Sequence, residues 1–266
     1  MRARPALFVG LLALIAVCAP AVAGAGAEDR VVIPAGEFRP VIAPGPTERT
    51  VRLESFELDR EPVTNLAFRA FVATHPQWRR DRVASLLADE HYFARWAGPL
   101  DSGGTATDDQ PVTDVSWYAA RAYCEAEGAR LPTWYEWEYA AAADEHRPDA
   151  RADPAWRARI LAWYSRSAKD PLPVIGTTPA NVYGVRDLHG LVWEWVEDFA
   201  SLMMSGDSRT QGDPDKLEFC GAGALSAEVR DDYAVLMRVA LLSSLEARYT
   251  TSSLGFRCAA TPKRAP

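Results

Sequence analysis

Nine residues, Asp187-Leu-His-Gly-Leu-Val-Trp-Glu-Trp195, gather more groups capable of chemistry than other stretches of this chain. Trp193 and Trp195 are two residues apart, so an extended backbone puts both indoles on one face with a large apolar area. Glu194 then points the other way. A carboxylate held between two anchored indoles suits a hard cation. Asp187 and Glu194, with the carbonyls of Gly190 and Val192, would offer the oxygen-only donors that calcium prefers. The competing reading is a tryptophan-rich core turn with solvated carboxylates. Spacing alone does not choose between them.

The elements that must position these groups follow a segment of a different kind. Met1-Arg-Ala-Arg4 is charged, residues 6–22 are apolar, and Ala21-Val-Ala23 is a small-residue cleavage site. This is the pattern of a secretory signal peptide over residues 1–23, with one domain over 24–266 and a periplasmic or secreted destination. The apolar run is short for a membrane span and is broken at Pro20. Val17 is bulky for lipid processing at Cys18. Of the 29 basic residues, Arg2 and Arg4 leave with this segment, so 27 face 36 acidic ones and the net charge is −9. That balance argues against nucleic acid or an anionic membrane as partner. Hydrophobic residues make up 48% of the chain and nine are tryptophan, ample for a packed core. Cys124, Cys220 and Cys258 remain. In an oxidising compartment two should pair and one is left over, and the sequence leaves the pairing open.

Along the chain, residues 31–38 read as a strand with a turn at Pro34-Ala-Gly36, and residues 51–58 alternate as a second strand. Thr64 or Asn65 caps a helix whose apolar stripe is Leu66, Phe68, Phe71 and Val72. Residues 79–96 look irregular, and residues 98–109 form a polar loop. Ser116 caps a helix from Trp117 to about Glu127, stopped by Gly128. Leu131-Pro-Thr133 opens a further helix through Ala143. Residues 166–180 are loop, and residues 254–259 read as a closing strand. No repeat or linker-like shift interrupts the chain. Short strands among a few helices predict a loop-rich α+β domain.

Taken in order, several segments resemble the formylglycine-generating enzyme, or sulfatase-modifying factor, family. They are Val32-Ile-Pro-Ala-Gly-Glu-Phe38, Glu61-Pro-Val-Thr-Asn65 and Pro111-Val-Thr-Asp-Val-Ser-Trp117. Ala122-Tyr-Cys-Glu-Ala-Glu-Gly-Ala-Arg-Leu-Pro-Thr133, Glu136-Trp-Glu-Tyr-Ala140 and Asn181-Val-Tyr-Gly184 follow. Gly190-Leu-Val-Trp-Glu-Trp195 and Leu254-Gly-Phe-Arg-Cys258 come last. The resemblance implies a mixed α/β fold with kinship to C-type lectins and a disulfide between Cys124 and Cys258. It also implies calcium at Asp187, Leu188, Gly190, Val192 and Glu194, while the family's second calcium site has no counterpart in residues 163–183. The family's enzymes oxidise a substrate cysteine with a copper(I)-binding cysteine pair. Counting back from Leu254-Gly-Phe-Arg-Cys258, that pair falls on Val229 and Ala234, neither of which can ligate a soft metal. The Arg-Gly-Gly-Ser that usually precedes it is here Cys220-Gly-Ala-Gly223.

The remodelled segment keeps soft donors of its own. Cys220 with Met203, Met204 and His189 would supply thiolate, thioether and imidazole, the ligands of a copper(I) site. The alternative is methionine as flexible core filler around an inert thiol. His75 and His146 read as surface residues and His91 as packed or partly exposed. Arg238 and Arg248 either face the family's peptide groove or are solvated. Ser208, in the polar run 198–215, has no His and Asp partners for hydrolysis. The resemblance is nearest to the bacterial branch without the cysteine pair, including accessory proteins associated with copper nitrite reductases and those acting in pigment or siderophore maturation. The expectation is an exported accessory or maturation factor for another exported protein or peptide, with room for an oxidative modification. A non-catalytic peptide- or glycan-binding module on the same fold is the alternative.

Overall fold

The computed structural model describes residues 29–44, 47–165, 170–201 and 233–262. Strand β1 (Arg30–Ile33) pairs antiparallel with β4 (Phe56–Asp59), and β4 pairs with β9 (Ala259–Ala260). Strands β2 (Gly36–Phe38) and β3 (Val51–Leu53) form a separate antiparallel pair. The single strand expected over residues 51–58 is therefore two strands in two sheets. In β4, Phe56 and Leu58 are buried and alternate with partly exposed Glu57 and Asp59, as one face of a sheet requires.

Helix α1 (Asn65–Thr74) is capped by Thr64, whose hydroxyl accepts the Ala67 N–H. The loop expected over 98–109 begins with a hairpin of β5 (Trp96–Gly98) and β6 (Asp101–Gly104). Helix α2 (Trp117–Ala126) starts at Ser116, and Gly128 beyond its end has φ +65°, the left-handed conformation glycine tolerates. Helix α3 (Trp134–Ala141) opens with a reciprocal capping box between Thr133 and Glu136. Helices α4 (Pro154–Tyr164), capped by Asp153, and α5 (Tyr233–Ser243) stand where the sequence pattern predicts no element. The closing strand is interrupted: β8 (Leu254–Gly255) pairs parallel with β7 (Trp193–Glu194), and β9 joins the first sheet.

One core runs through these elements. Phe68 touches Phe71, Phe93, Tyr123 and Phe256, so α1, α2 and the C-terminal segment meet in one aromatic cluster. Beside it Cys124 and Cys258, both fully buried, are joined by a disulfide with Cα atoms 5.5 Å apart. The link spans 134 residues, and closing a loop of that length removes about 4–5 kcal/mol of unfolded-state entropy in the chain model. Among the described residues no helix is long and apolar enough to cross a membrane.

Candidate functional site

Trp193 and Glu194 sit on β7, held against β8 by the Trp193 N–H to Ser253 O bond. The alternation predicted from spacing has unequal consequences: Trp195 is fully buried, Trp193 only partly, and Glu194 turns inward to complete burial. There Glu194 meets Arg257. Oε1 and Oε2 take Nε at 3.1 and 2.9 Å, and Oε1 also takes Nη2 at 2.8 Å. Trp137 Nε1 donates to Oε2 at 2.7 Å. The remaining Arg257 donors reach the carbonyls of Asp59, Arg60 and Arg186, so every guanidinium N–H has an acceptor.

This environment does not fit an oxygen cage for calcium at Glu194. The carboxylate accepts four contacts, and a guanidinium already supplies the positive charge. Asp187, the other carboxylate expected in the cage, serves a different group. It lies at φ +58° and accepts the Gly176 N–H, the Thr178 N–H and the Thr178 hydroxyl, bracing the loop before it. Leu188 and Val192 bury their apolar side chains in the core, so only their backbone carbonyls could serve as donors. Gly190 is required sterically: at φ +86°, a Cβ there would lie 2.5 Å from the Trp163 side chain. Among the described residues no three His, Cys, Asp or Glu side chains form a metal-ligating group.

His189 is surrounded by Trp137, Trp156, Trp163 and Tyr164. Its Nε2 lies 2.8 Å from Ala141 O, and its Nδ1 lies 3.2 Å from the Tyr164 hydroxyl. A carbonyl only accepts, so Nε2 carries the proton and Nδ1 is the acceptor for the phenol. Burial pushes the imidazole pKa down to about 4, keeping the ring neutral. Both nitrogens are thus engaged, which leaves His189 poorly placed as a copper ligand. Its supposed companions Cys220, Met203 and Met204 lie outside the described residues. Arg238, expected at a groove or in solvent, is instead fully buried on α5. Its guanidinium stands 3.5 Å from the centre of the Trp137 ring and donates to Glu194 O at 2.6 Å. Burial lowers its pKa to about 10.

An open cleft of about 870 Å³ lies between the segment 80–94 and residues 245–251. Arg80, Ser85, His91, Arg248 and Tyr249 are among its walls. Asp89 ties the walls together: its N–H donates to Arg248 O, and its carboxylate takes the Thr250 N–H and hydroxyl at 3.0 and 2.6 Å. Phe93 and Asp114 behind the cleft both have positive φ, +50° and +55°, and the Phe93 N–H donates to Asp114 O at 2.9 Å. Such backbone is costly for a bulky side chain and gathers at functional sites. Asp114 is buried with Oδ2 unpartnered, and desolvation raises its pKa to about 6.

The sequence model of the family described as "Sulfatase-modifying factor enzyme 1-like domain" matches residues 19–262. The chain belongs to this family. It is 33% identical over 300 aligned positions to the formylglycine-generating enzyme of Streptomyces coelicolor, an alignment covering 90% of this chain and 91% of that protein. It is 34% identical over 170 positions to the hercynine oxygenase of Mycolicibacterium smegmatis, covering 55% of this chain and 38% of that one. Among solved structures, PvdO from Pseudomonas aeruginosa aligns with a TM-score of 0.45 at 16% identity, over 88% of this chain and 94% of that chain. As a sulfatase-modifying factor family member, the chain is a single loop-rich α+β domain, as the order of its motifs implies. Val229 lies outside the described residues, and Ala234 is the second residue of α5. Two features of this family member gave no signal in sequence spacing. They are the Arg257 partner of Glu194, 63 residues away, and the cleft, whose walls are more than 150 residues apart in the chain.

Proposed function

We propose that this chain is an exported family member that recognises a segment of another exported protein or peptide in the 80–94/245–251 cleft, as an accessory or maturation factor. It does not make formylglycine through a cysteine pair. The observation carrying this reading is the use of its thiols. Four cysteines are present, Cys124 and Cys258 are joined in a buried disulfide, and Cys18 falls in the apolar leader. Cys220 alone cannot form a two-thiol copper centre. The hercynine oxygenase relative supports an oxidation of another kind on this scaffold. Incubation with copper(I), oxygen and a cysteine-containing peptide, followed by hydrazide labelling, should yield no peptide aldehyde. Aldehyde formation that survives Cys220→Ala would overturn the exclusion of formylglycine chemistry. Segments of co-exported proteins should bind the protein and lose affinity about tenfold in Tyr249→Ala. Undiminished binding in that variant would move recognition away from the cleft.

A further inference from the structure

The protein has a tyrosine whose hydroxyl is already aimed at a proton acceptor, inside a cluster of indoles. Tyr164, at the end of α4, lies 3.2 Å from His189 Nδ1, and the bond from Nε2 to Ala141 O fixes Nδ1 as the unprotonated nitrogen. On its other side the Tyr164 ring stacks on Trp193 with centroids 4.9 Å apart and planes 5° from parallel. Trp137, Trp156 and Trp163 complete the ring of aromatics around His189. Packing alone would explain a crowd of rings. It does not explain a phenol hydrogen-bonded to an imidazole whose tautomer is locked to receive its proton.

From this geometry we propose that Tyr164 and His189 form a proton-coupled redox pair, with Trp193 as the neighbouring electron relay. The co-reactant is a high-potential one-electron oxidant. In the step, one electron leaves the Tyr164 phenol for the oxidant, which is reduced by one unit. The phenolic O–H bond breaks and its proton passes to His189 Nδ1. The products are a neutral tyrosyl radical, an imidazolium and the reduced oxidant, so charge and atoms balance. An electron from Trp193 across the stacked pair, with return of the proton from His189 Nδ1, restores the Tyr164 phenol and neutral imidazole and leaves a tryptophanyl radical cation on the partly exposed Trp193. Oxidising equivalents reaching this region would thus be stored on Tyr164 or led outward, rather than damaging the buried Trp134 and Trp137. Because the pair uses residues outside the cleft, it stands whether or not peptide recognition does.

The test is photo-oxidation of the full chain with tris(bipyridine)ruthenium(II) and persulfate, followed by freeze-quench electron paramagnetic resonance. The expected result is a tyrosyl signal that falls at least tenfold in Tyr164→Phe and in His189→Phe, and persists in Tyr183→Phe. Protein grown with ring-deuterated tyrosine should show a collapsed hyperfine pattern, which identifies the radical without any variant. Formation in deuterium oxide should be slower, as a coupled proton transfer requires. A signal of equal size in folded Tyr164→Phe, a signal insensitive to tyrosine deuteration, or tryptophan radicals alone would overturn the proposal.

Discussion

Glu194 is a fully buried carboxylate whose charge is met by Arg257, itself fully buried. Removing one partner of such a pair strands the other without water, so Glu194→Gln or Arg257→Ala should each cost about 3–5 kcal/mol by urea unfolding. Replacing both by apolar residues of similar volume should cost far less. The same arrangement predicts that a calcium chelator leaves the melting temperature unchanged in the wild type; a fall of several degrees would show that calcium displaces part of the guanidinium contact. Acid response is a second residue-scale property. Asp59 and Asp114 have pKa values raised to about 6, both chiefly by burial. Each therefore contributes stability that is full below about 4 and lost as pH rises through about 6. His189, lowered to about 4, contributes stability present above about 6.5 and lost as pH falls through about 4. Asp114→Asn, which has no charge to desolvate, should then stabilise the protein by about 1–3 kcal/mol at pH 7.5 and much less at pH 5. Equal gains at both pH values would remove Asp114 from the account.

At the scale of elements, α4 and the turn at Gly190 depend on each other. Trp163 lies where any Cβ at position 190 would go, and the residue holds φ +86°. Gly190→Ala should therefore destabilise by more than about 1 kcal/mol and shift the tryptophan fluorescence of the His189 cluster, whereas Gly128→Ala, with open space around it, carries only the backbone penalty. A shift no larger than that of Gly128→Ala would argue against this dependence. What the sequence made legible here follows from how local each signal is. The caps at Thr64, Ser116 and Thr133 act within three residues, and all three begin helices where spacing predicted them. Helix α4 carries a start signal in Asp153-Pro154, but Ile160 is its only fully buried residue, so no apolar stripe announces it. In residues 51–58 the apolar positions pass from Val51 and Leu53 to Phe56 and Leu58, and the consecutive polar residues Glu54-Ser55 at that change of phase mark where the chain switches sheets. Asp187 and Glu194 were visible as carboxylates near tryptophans. Thr178 lies nine residues from Asp187, but Trp137 and Arg257 lie 57 and 63 residues from Glu194, and only the assembled fold brings them together.

For the whole molecule, the decisive question is whether its disulfide is structural or a masked catalytic pair. Cys124 and Cys258 have no solvent exposure, and Cys258 N–H is bonded to Asp59 in the central strand of the three-stranded sheet. The bond thereby ties α2 to the sheet and to the strand end that carries Arg257 and, through it, Glu194. A structural bond in this position predicts that Cys124→Ala/Cys258→Ala loses about 2–5 kcal/mol in thermal or urea unfolding. It should keep the tryptophan fluorescence of the folded state well below its melting temperature. It also predicts slow reduction by dithiothreitol in the folded state, because the attacking thiolate needs access. Reduction within seconds under native conditions, accompanied by aldehyde formation on a cysteine peptide, would instead give this chain a reactive thiol pair at a second location. Cys124 and Cys258 belong to the same buried core cluster as Phe68, Tyr123 and Phe256, so that outcome would require the core to open.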